Sequence, residues 1–304
     1  MVDENSHRIS RDVKNETLEF SDNTPVVIDG SVSGATIVTE GDLALLGLVE
    51  NSELVSKKEH IFLKVDIEEG TKQTQISAGK NVYIKSAKDV LIKAGKTIFV
   101  EHSLLDSQAA AGDRVLTETD LGAIAGGKIV ASERIVGCDI GDASGTPTLI
   151  QVEDPFGIVQ GFCIHPNVTI RIGDIETVTD KKQTLVKARV EGGKIQFDPI
   201  EPPSKGLMIG RSEEGGKTVL HLHGRLDGHT VEKFEKALGV IEGMRKLPVL
   251  LDLHEVTYLS SVAIRIFIDR IKKLGKENFV LANPSPAVVM VVRMTGLADV
   301  FGLH

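Results

Sequence analysis

Hydrophobic residues follow two different periods along the chain. In the first two hundred residues, apolar and polar side chains alternate over short stretches, so that Val82 and Ile84 fall on one side of a strand and Tyr83 on the other. Beyond residue 206, such stretches alternate with others in which apolar residues recur every three or four positions, the spacing of an amphipathic helix. The pattern predicts an all-β region followed by a mixed α/β region.

The all-β region contains an internal repeat. The stretch from Ile76 to Ile84 returns 16 residues later as Ile92 to Val100, and fainter copies begin at Ala111 and Ala125. Each copy contains an Ala-Gly pair followed by a short strand of alternating apolar and polar residues. We interpret the pair as a corner where glycine is used because it tolerates positive φ. The step between copies is too short for a repeat that contains a helix. The region is therefore predicted to be a β-solenoid, a parallel β-helix with aliphatic side chains inside each coil.

The last hundred residues alternate predicted strands and helices, which together specify a small α/β layer. Thr230 is the expected cap of the first helix, and Gly275 is the expected end of the second. The strands are expected at 218–223, 248–253 and 279–282, and the helices at 231–241, 264–274 and 286–294.

A proline-rich linker at 199–206 separates the two regions, because proline fixes φ and withholds a hydrogen-bond donor from any sheet. We therefore expect three parts. These are a polar N-terminal arm at 1–25, a β-helix domain at 26–203 and an α/β domain at 207–304.

Composition and charge narrow the possible partners. The chain has 30 Gly, no Trp and 4% aromatic residues, which suits a narrow aliphatic core and argues against an aromatic platform for single-stranded nucleic acid. Residues 1–206 carry a net charge of −10 and residues 207–304 a net charge of +2. Because an acidic solenoid repels phosphate backbones, no nucleic-acid partner is expected.

Other features bear on the compartment. No stretch approaches the roughly 18 consecutive apolar residues of a transmembrane helix, and the first residues lack the layout of a signal peptide. We therefore expect no transmembrane segment and a cytoplasmic location. Cys138 and Cys163 lack CxxC spacing, and we interpret them as small buried hydrophobic residues rather than as a disulfide or metal ligands.

Candidate catalytic and metal-binding residues form no array in the sequence. His60, His102 and His165 share no common spacing, and Asp139 with Asp142 is interpreted as a pair of solvated corner residues. In the α/β region, His221 and His223 share a strand face without a third ligand spaced to join them. We therefore expect no enzyme activity, no metal and no cofactor.

Six segments of the first region carry a resemblance to a known family: Gly41 to Val49, Ile76 to Val100, Ile124 to Ala131, Val136 to Gly141, Gly145 to Leu149 and Ile164 to Gly173. Together they resemble the β-helix of the flagellar assembly protein A family and, more distantly, the C-terminal β-helix of the septum-site protein MinC. The resemblance covers roughly 26–203. In that family a long helical hairpin precedes a returning β segment, and this chain lacks the hairpin.

Four segments of the second region, in order, carry another resemblance: Leu222 to Asp227, Leu251 to Ser261, Ala282 to Pro286 and Met294 to Leu297. With them, the region resembles the STAS domain of anti-sigma factor antagonists and sulfate-transporter tails. The family's switch motif is commonly Asp-Ser-Ser-Gly, with the second Ser phosphorylated by a partner kinase. In this chain Ser260 stands in place of the Asp, Ser261 matches the first Ser, and Val262 occupies the acceptor position.

The STAS resemblance implies a protein-binding surface with Asp227, Ser260, Ser261, Val262 and Arg265 as its candidate residues. Ser261 or Ser260 is a possible regulatory phosphosite, and the alternative for Ser261 is the cap of the helix that follows. Asp227 matches an acidic loop position of the family and is alternatively a turn residue beside Gly228.

These resemblances imply a non-enzymatic scaffold in bacterial cell-envelope or flagellar assembly, with the STAS module docking a protein partner. The alternative is a partner-switching regulator of the anti-sigma factor antagonist type, controlled by serine phosphorylation. A homo-oligomer through the β-helix is a further possibility, because the ends of a solenoid expose unpaired strand edges.

Overall fold

The computed structural model describes residues 6–67, 70, 73–117, 121–201, 206–243 and 247–302. The chain divides into two units, Met1–Pro199 and Ile200–His304. Within the described ranges, no helix is long and apolar enough to cross a membrane.

The first unit is a β-solenoid, as the repeat predicts. Its strands are β1 (His7–Ile9), β2 (Val13–Lys14), β3 (Thr17–Phe20), β4 (Val26–Ile28), β5 (Val32–Ser33), β6 (Thr36–Thr39), β7 (Leu43–Leu45), β8 (Val49–Glu50), β9 (Glu53–Ser56), β10 (Ile61–Ile67), β11 (Thr74–Ala78), β12 (Val82–Lys88), β13 (Val90–Ala94), β14 (Thr97–Ala111), β15 (Arg114–Thr117), β16 (Ala123–Ala131), β17 (Arg134–Ile140), β18 (Thr148–Val152), β19 (Ile158–Ile164), β20 (Val168–Ile172), β21 (Ile175–Val178), β22 (Gln183–Glu191) and β23 (Lys194–Pro199).

Successive coils stack in parallel and in register. Along one face, Ile61 pairs with Val82, Val82 with Ile98, and Ile98 with Val115. These side chains are fully buried, and the polar positions between them point outward. The coil from Ile61 to Val82 is longer than the coil from Val82 to Ile98. The number of residues per coil therefore varies, and the spacing of the sequence repeat holds for only some of the coils. Aliphatic stacking along the axis forms the core, as predicted.

At three of the four Ala-Gly pairs, glycine is needed for a reason other than the predicted one. Gly79, Gly95 and Gly112 do not have positive φ. A Cβ on Gly95 would lie 2.2 Å from the carbonyl oxygen of Gly79, and one on Gly112 would lie 2.1 Å from that of Gly95. These three glycines are therefore required by the close approach of backbone from the preceding coil, and the interpretation based on φ is wrong for them. It is confirmed for Gly126 of the fourth pair, whose φ is 73°.

A different corner of the coil uses the left-handed conformation, and Asn and Asp share it with Gly. The residues at this corner with φ between 49° and 73° are Asn15, Gly34, Asn51, Asp89, Asp106 and Gly126. Asn15 and Gly34 occupy this corner in successive coils. The backbone N–H of Asn15 donates to the Ser33 carbonyl in the next coil, and the backbone N–H of Gly34 donates to the Glu50 carbonyl in the coil after that.

Three rings of the solenoid form a stack on its outer face. Phe62, Tyr83 and Phe99 are paired in register on three successive coils. Their ring centroids are 4.8 Å apart at both steps, with interplanar angles of 7° and 6°. Each ring thus covers its neighbour, and the narrow interior is left to aliphatic side chains.

The two ends of the solenoid differ. The predicted polar arm at 1–25 contributes strands β1, β2 and β3 to a first coil, in which His7–Ile9 pair in parallel with Val26–Ile28. Val13 is fully buried in this coil. Its strand has only two residues, so no apolar run in the sequence marks it as a strand. At the other end, β21 and β22 pair antiparallel with β20 and β19 and end the parallel stacking.

The second unit is a four-stranded sheet with helices, consistent with the predicted STAS fold. Its elements are β24 (Leu207–Glu214), β25 (Lys217–Leu226), α1 (Val231–Gly243), β26 (Val249–Leu259), α2 (Ser261–Leu274), β27 (Phe279–Ala282), α3 (Pro286–Met294) and α4 (Ala298–Phe301). The strand order is β24-β25-β26-β27, with the first pair antiparallel and the others parallel.

Phe267 of α2 is the centre of the core of this unit. It is fully buried, and its ring centroid lies 5.8 Å from that of Phe234, 6.3 Å from that of Phe279 and 6.2 Å from that of Phe301. The strand at 279–282 and the end of α2 at Gly275 lie where the sequence predicts them. Strand β24 and helix α4 were not predicted, and β26 extends beyond its predicted end.

Candidate functional site

The start of helix α2 is organised by Ser260. Its side-chain oxygen accepts a hydrogen bond from the Ala263 backbone N–H at 3.3 Å, and its φ of −87° and ψ of 163° are those of an N-cap. Ser261 is the first helical residue and is exposed. The interpretation of Ser261 as the cap is therefore wrong, because the helix begins one residue after Ser260.

Three of the candidate binding residues share the exposed first turns of α2. Val262 is 44% exposed, although its side chain is apolar, and Ser261 and Arg265 are exposed as well. Ser261 and Arg265 are four positions apart and Val262 and Arg265 three, so all three border the same helix face. The arrangement offers a hydroxyl, an apolar group and a cation to a partner.

The loop that carries Asp227 lies beside this turn. The backbone N–H of Ser260 donates to the carbonyl of Leu226 at 3.0 Å, which brings the two candidate segments together. The Asp227 carboxylate accepts hydrogen bonds from the His229 backbone and from Arg225 at 3.0 and 3.1 Å. The His229 bond is the main cause of a lowered Asp227 pKa, and the Arg225 bond lowers that pKa further. This geometry agrees with the alternative interpretation of Asp227 as a turn residue.

Two exposed features of the same unit, one aromatic and one apolar, were not predicted from the sequence. The Arg225 guanidinium lies 4.1 Å from the ring centroid of Tyr258, a cation–π contact on an exposed tyrosine. On helix α3, Met290 and Met294 are 63% and 81% exposed and are spaced by four residues. The spacing of the methionines was visible, but a strongly apolar helix gives no sign of which side faces solvent.

A chain of hydrogen bonds crosses three strands of the same sheet. Ser212 Oγ lies 2.9 Å from His221 Nε2, and His221 Nδ1 lies 2.9 Å from Asp252 Oδ2. No Ser-His-Asp array is evident in the sequence, because these residues are separated by 9 and 31 positions and meet only when β24, β25 and β26 pair. The order of contacts is that of a hydrolytic triad.

The accessibility of this chain of bonds argues for a structural role. Ser212 is fully buried, so its hydroxyl is closed to a substrate. Burial alone would raise the pKa of Asp252, but hydrogen bonds from His221 and Asn283 outweigh it and lower that pKa. Burial also lowers the pKa of the neighbouring His223. The bonds connect the edge strand β24 to the middle of the sheet.

The solenoid brings together a second group that the sequence keeps apart. Asp139, Cys163 and His165 are 5%, 0% and 3% exposed, and their candidate ligand atoms all lie within 4.8 Å of one another. Cys138 and Cys163 are free and buried, as predicted. The interpretation of Asp139 as a solvated corner is wrong, because its carboxylate lies 2.7 Å from His165 Nε2. Asp142 is a corner residue, and its pKa is lowered to about 2 although burial opposes the shift, since Ser144 and Thr146 donate to it.

Burial raises the pKa of the Cys163 thiol, and the neighbouring Asp139 carboxylate raises it further. Among the described residues, one other trio has ligand atoms this close, the half-exposed Asp42, Glu59 and His60. The paired histidines of the sheet, His221 and His223, belong to neither trio.

Comparison with known proteins matches both units. Residues 6–156 match the family model of the Flagellar Assembly Protein A beta solenoid domain, and residues 211–304 match that of the STAS domain. Two anti-sigma-B factor antagonists, from Listeria monocytogenes and Listeria innocua, are each 29% identical to this chain over 79 residues. The aligned part is 25% of this chain and 69% of each antagonist.

Proposed function

Since the chain joins a β-solenoid of the flagellar assembly protein A type to a STAS domain, we propose that it is a non-enzymatic adaptor whose STAS domain docks a protein partner. The two domains and the similarity to anti-sigma-B factor antagonists support a regulatory or adaptor role. The similarity of the solenoid to the flagellar assembly protein supports a place in the assembly of a bacterial cell-envelope machine such as the flagellum.

The observation that carries the proposal is the exposed start of α2. Val262 exposes an apolar side chain beside Arg265 and Ser261, and the Asp227 loop is hydrogen-bonded to the same turn. Protein-binding sites commonly combine an apolar group and an arginine at the centre of the contact. We place the docking surface at Asp227, Ser260, Ser261, Val262 and Arg265.

Substitutions at this surface are expected to weaken partner binding. Val262→Asp and Arg265→Glu should each lower the affinity by roughly tenfold or more, in line with the loss of a central contact. An aspartate in the first turn is favourable to the helix dipole, so Val262→Asp should leave the fold intact. The measurement is capture of partner proteins by the full chain, quantified by mass spectrometry and then by titration of the protein identified.

Lys272→Glu is the matched control, because it reverses an exposed charge near the opposite end of α2. Retention of the partner by this variant, with loss in Val262→Asp and Arg265→Glu, is the expected result. Equal capture by all variants would contradict the assigned surface.

A second function, a partner-switching regulator controlled by serine phosphorylation, is favoured by the exposure of Ser261 in the first turn of α2. The positive end of the helix dipole stabilises a phosphate at that position. Against this function, Val262 occupies the position that the family phosphorylates, and the Ser260 hydroxyl is engaged as the N-cap.

Mass spectrometry of the full chain purified from cells that produce it naturally separates the two functions. The adaptor proposal expects no phosphate on Ser260 or Ser261 and unchanged partner affinity in Ser261→Ala. Phosphate on Ser261, together with loss of binding in Ser261→Asp but not in Ser261→Ala, would replace the adaptor by the regulator.

A further inference from the structure

A buried trio of different donor types lies near the C-terminal end of the solenoid. Asp139 and Cys163 are register partners on the stacked strands β17 and β19, and His165 follows β19 directly. The backbone N–H of His165 donates to the carbonyl of Ile140 at 2.9 Å, which keeps the imidazole beside the same coil. A carboxylate oxygen, a thiol sulfur and an imidazole nitrogen therefore converge from two adjacent coils.

The donor set selects among metal ions. Calcium and magnesium prefer sites made only of oxygen ligands, whereas sulfur and imidazole nitrogen are ligands of zinc and similar transition metals. Metal binding would displace the proton of the Cys163 thiol to solvent. The resulting thiolate and the Asp139 carboxylate together carry two negative charges, and a neutral imidazole adds none. Bound Zn²⁺ would therefore leave this buried group without net charge, which matters because an uncompensated buried charge is costly.

The three side chains lie near enough to one another to supply three of the four corners of a tetrahedral site. Zinc lies about 2.0–2.2 Å from nitrogen and oxygen ligands and about 2.3 Å from sulfur, which separates neighbouring ligand atoms by about 3.3–3.6 Å. The three candidate atoms lie within 4.8 Å of one another, with 2.7 Å between His165 Nε2 and Asp139 Oδ1. Small rotations of these side chains exchange the hydrogen bond for two metal bonds.

We propose that Asp139, Cys163 and His165 bind one Zn²⁺ ion, which fastens β17 to β19. The proposed site lies where the parallel stacking ends, because β19 stacks in parallel on β17 and pairs antiparallel with β22 on its other side. A metal ion bound to both β17 and the segment of β19 would stabilise the last parallel pair. A metal that binds only the folded arrangement stabilises it. This inference does not depend on the docking role of the STAS domain.

The test measures metal content and metal spectra of the full chain. Protein produced in minimal medium with added zinc is freed of loose metal by gel filtration in a mild chelator, and its zinc is counted by mass spectrometry. One zinc per chain is expected. Protein produced with cobalt instead should show a thiolate-to-cobalt charge-transfer band and the visible bands of tetrahedral Co²⁺.

Variants locate the metal. Cys163→Ala should remove the charge-transfer band, and Asp139→Asn and His165→Gln should each lower the affinity by more than the roughly 10–100-fold cost of losing an outer-sphere partner. His60→Gln is the control, because it removes the histidine of the half-exposed trio and leaves the buried one intact. It should retain the zinc and the cobalt band.

Two results would overturn the proposal. The first is a folded wild-type chain without bound zinc and without a cobalt–thiolate band. This result is obtained with the wild-type chain, so it does not depend on whether any variant folds. The second is a band that survives in Cys163→Ala, which would assign the thiolate to Cys138.

Discussion

Gly95→Ala is expected to lower the free energy of unfolding of the solenoid by about 3 kcal/mol, a large effect for the addition of one methyl group. The new Cβ would lie 2.2 Å from the carbonyl oxygen of Gly79, which belongs to the backbone of the preceding coil. The Gly95 backbone N–H is also hydrogen-bonded to Ala78 at 2.9 Å, so neither coil can move away without loss of pairing. The measurement is chemical denaturation of the full chain, followed by far-ultraviolet circular dichroism.

Lys96→Ala is the matched control for this substitution. Lys96 is the next residue and is exposed, so its replacement should change the stability by about 0.5 kcal/mol or less. If Gly95→Ala unfolds at the same denaturant concentration as Lys96→Ala, the coils are not in the close contact described above.

The second large effect is expected in the other unit. Phe267→Ala should lower the free energy of unfolding of the STAS domain by about 4 kcal/mol, because it removes a fully buried ring that contacts three others and leaves a cavity. A domain of this size has a total stability of roughly 5–15 kcal/mol, so the variant should unfold at a much lower temperature.

Met294→Ala provides the comparison, since this side chain is large, apolar and 81% exposed on helix α3. Thermal unfolding of the two variants separates burial from mere hydrophobic character. An equal loss in both would contradict the position of Phe267 at the centre of the core.

The local elements could be predicted from the sequence because each has its own period. Alternation over Val82 to Ile84 identifies an inward and an outward side without knowledge of the neighbouring coil. The stripe of α2, stopped by Gly275, and the short aliphatic strand at 279–282 are identified in the same way. Such signals depend only on residues a few positions apart, so they can be identified without knowledge of tertiary contacts.

Contacts between coils could not be predicted, because coil length varies. Asp139 and Cys163 are register partners, as Val82 and Ile98 are, but a longer segment of chain separates them. No fixed spacing therefore identifies which side chains stack. The trio of Asp139, Cys163 and His165 was invisible in the sequence for this reason.

The sheet of the second unit raises the same difficulty in another form. Ser212 belongs to β24, which the sequence did not reveal as a strand, so its contact with His221 could not be anticipated. At the start of α2, both Ser260 and Ser261 are acceptable caps by residue type. The choice is decided by the end of β26 at Leu259, a tertiary constraint rather than a local preference.

The surroundings of the two tyrosines provide a spectroscopic consequence. The chain has 2 Tyr and no Trp, and one tyrosine belongs to each unit. Tyr83 is stacked between two phenylalanines in the solenoid, and Tyr258 lies under the Arg225 guanidinium in the STAS domain. Each unit thus contains its own intrinsic fluorophore. Emission from a Tyr258→Phe chain would report the solenoid alone, and emission from a Tyr83→Phe chain the STAS domain alone.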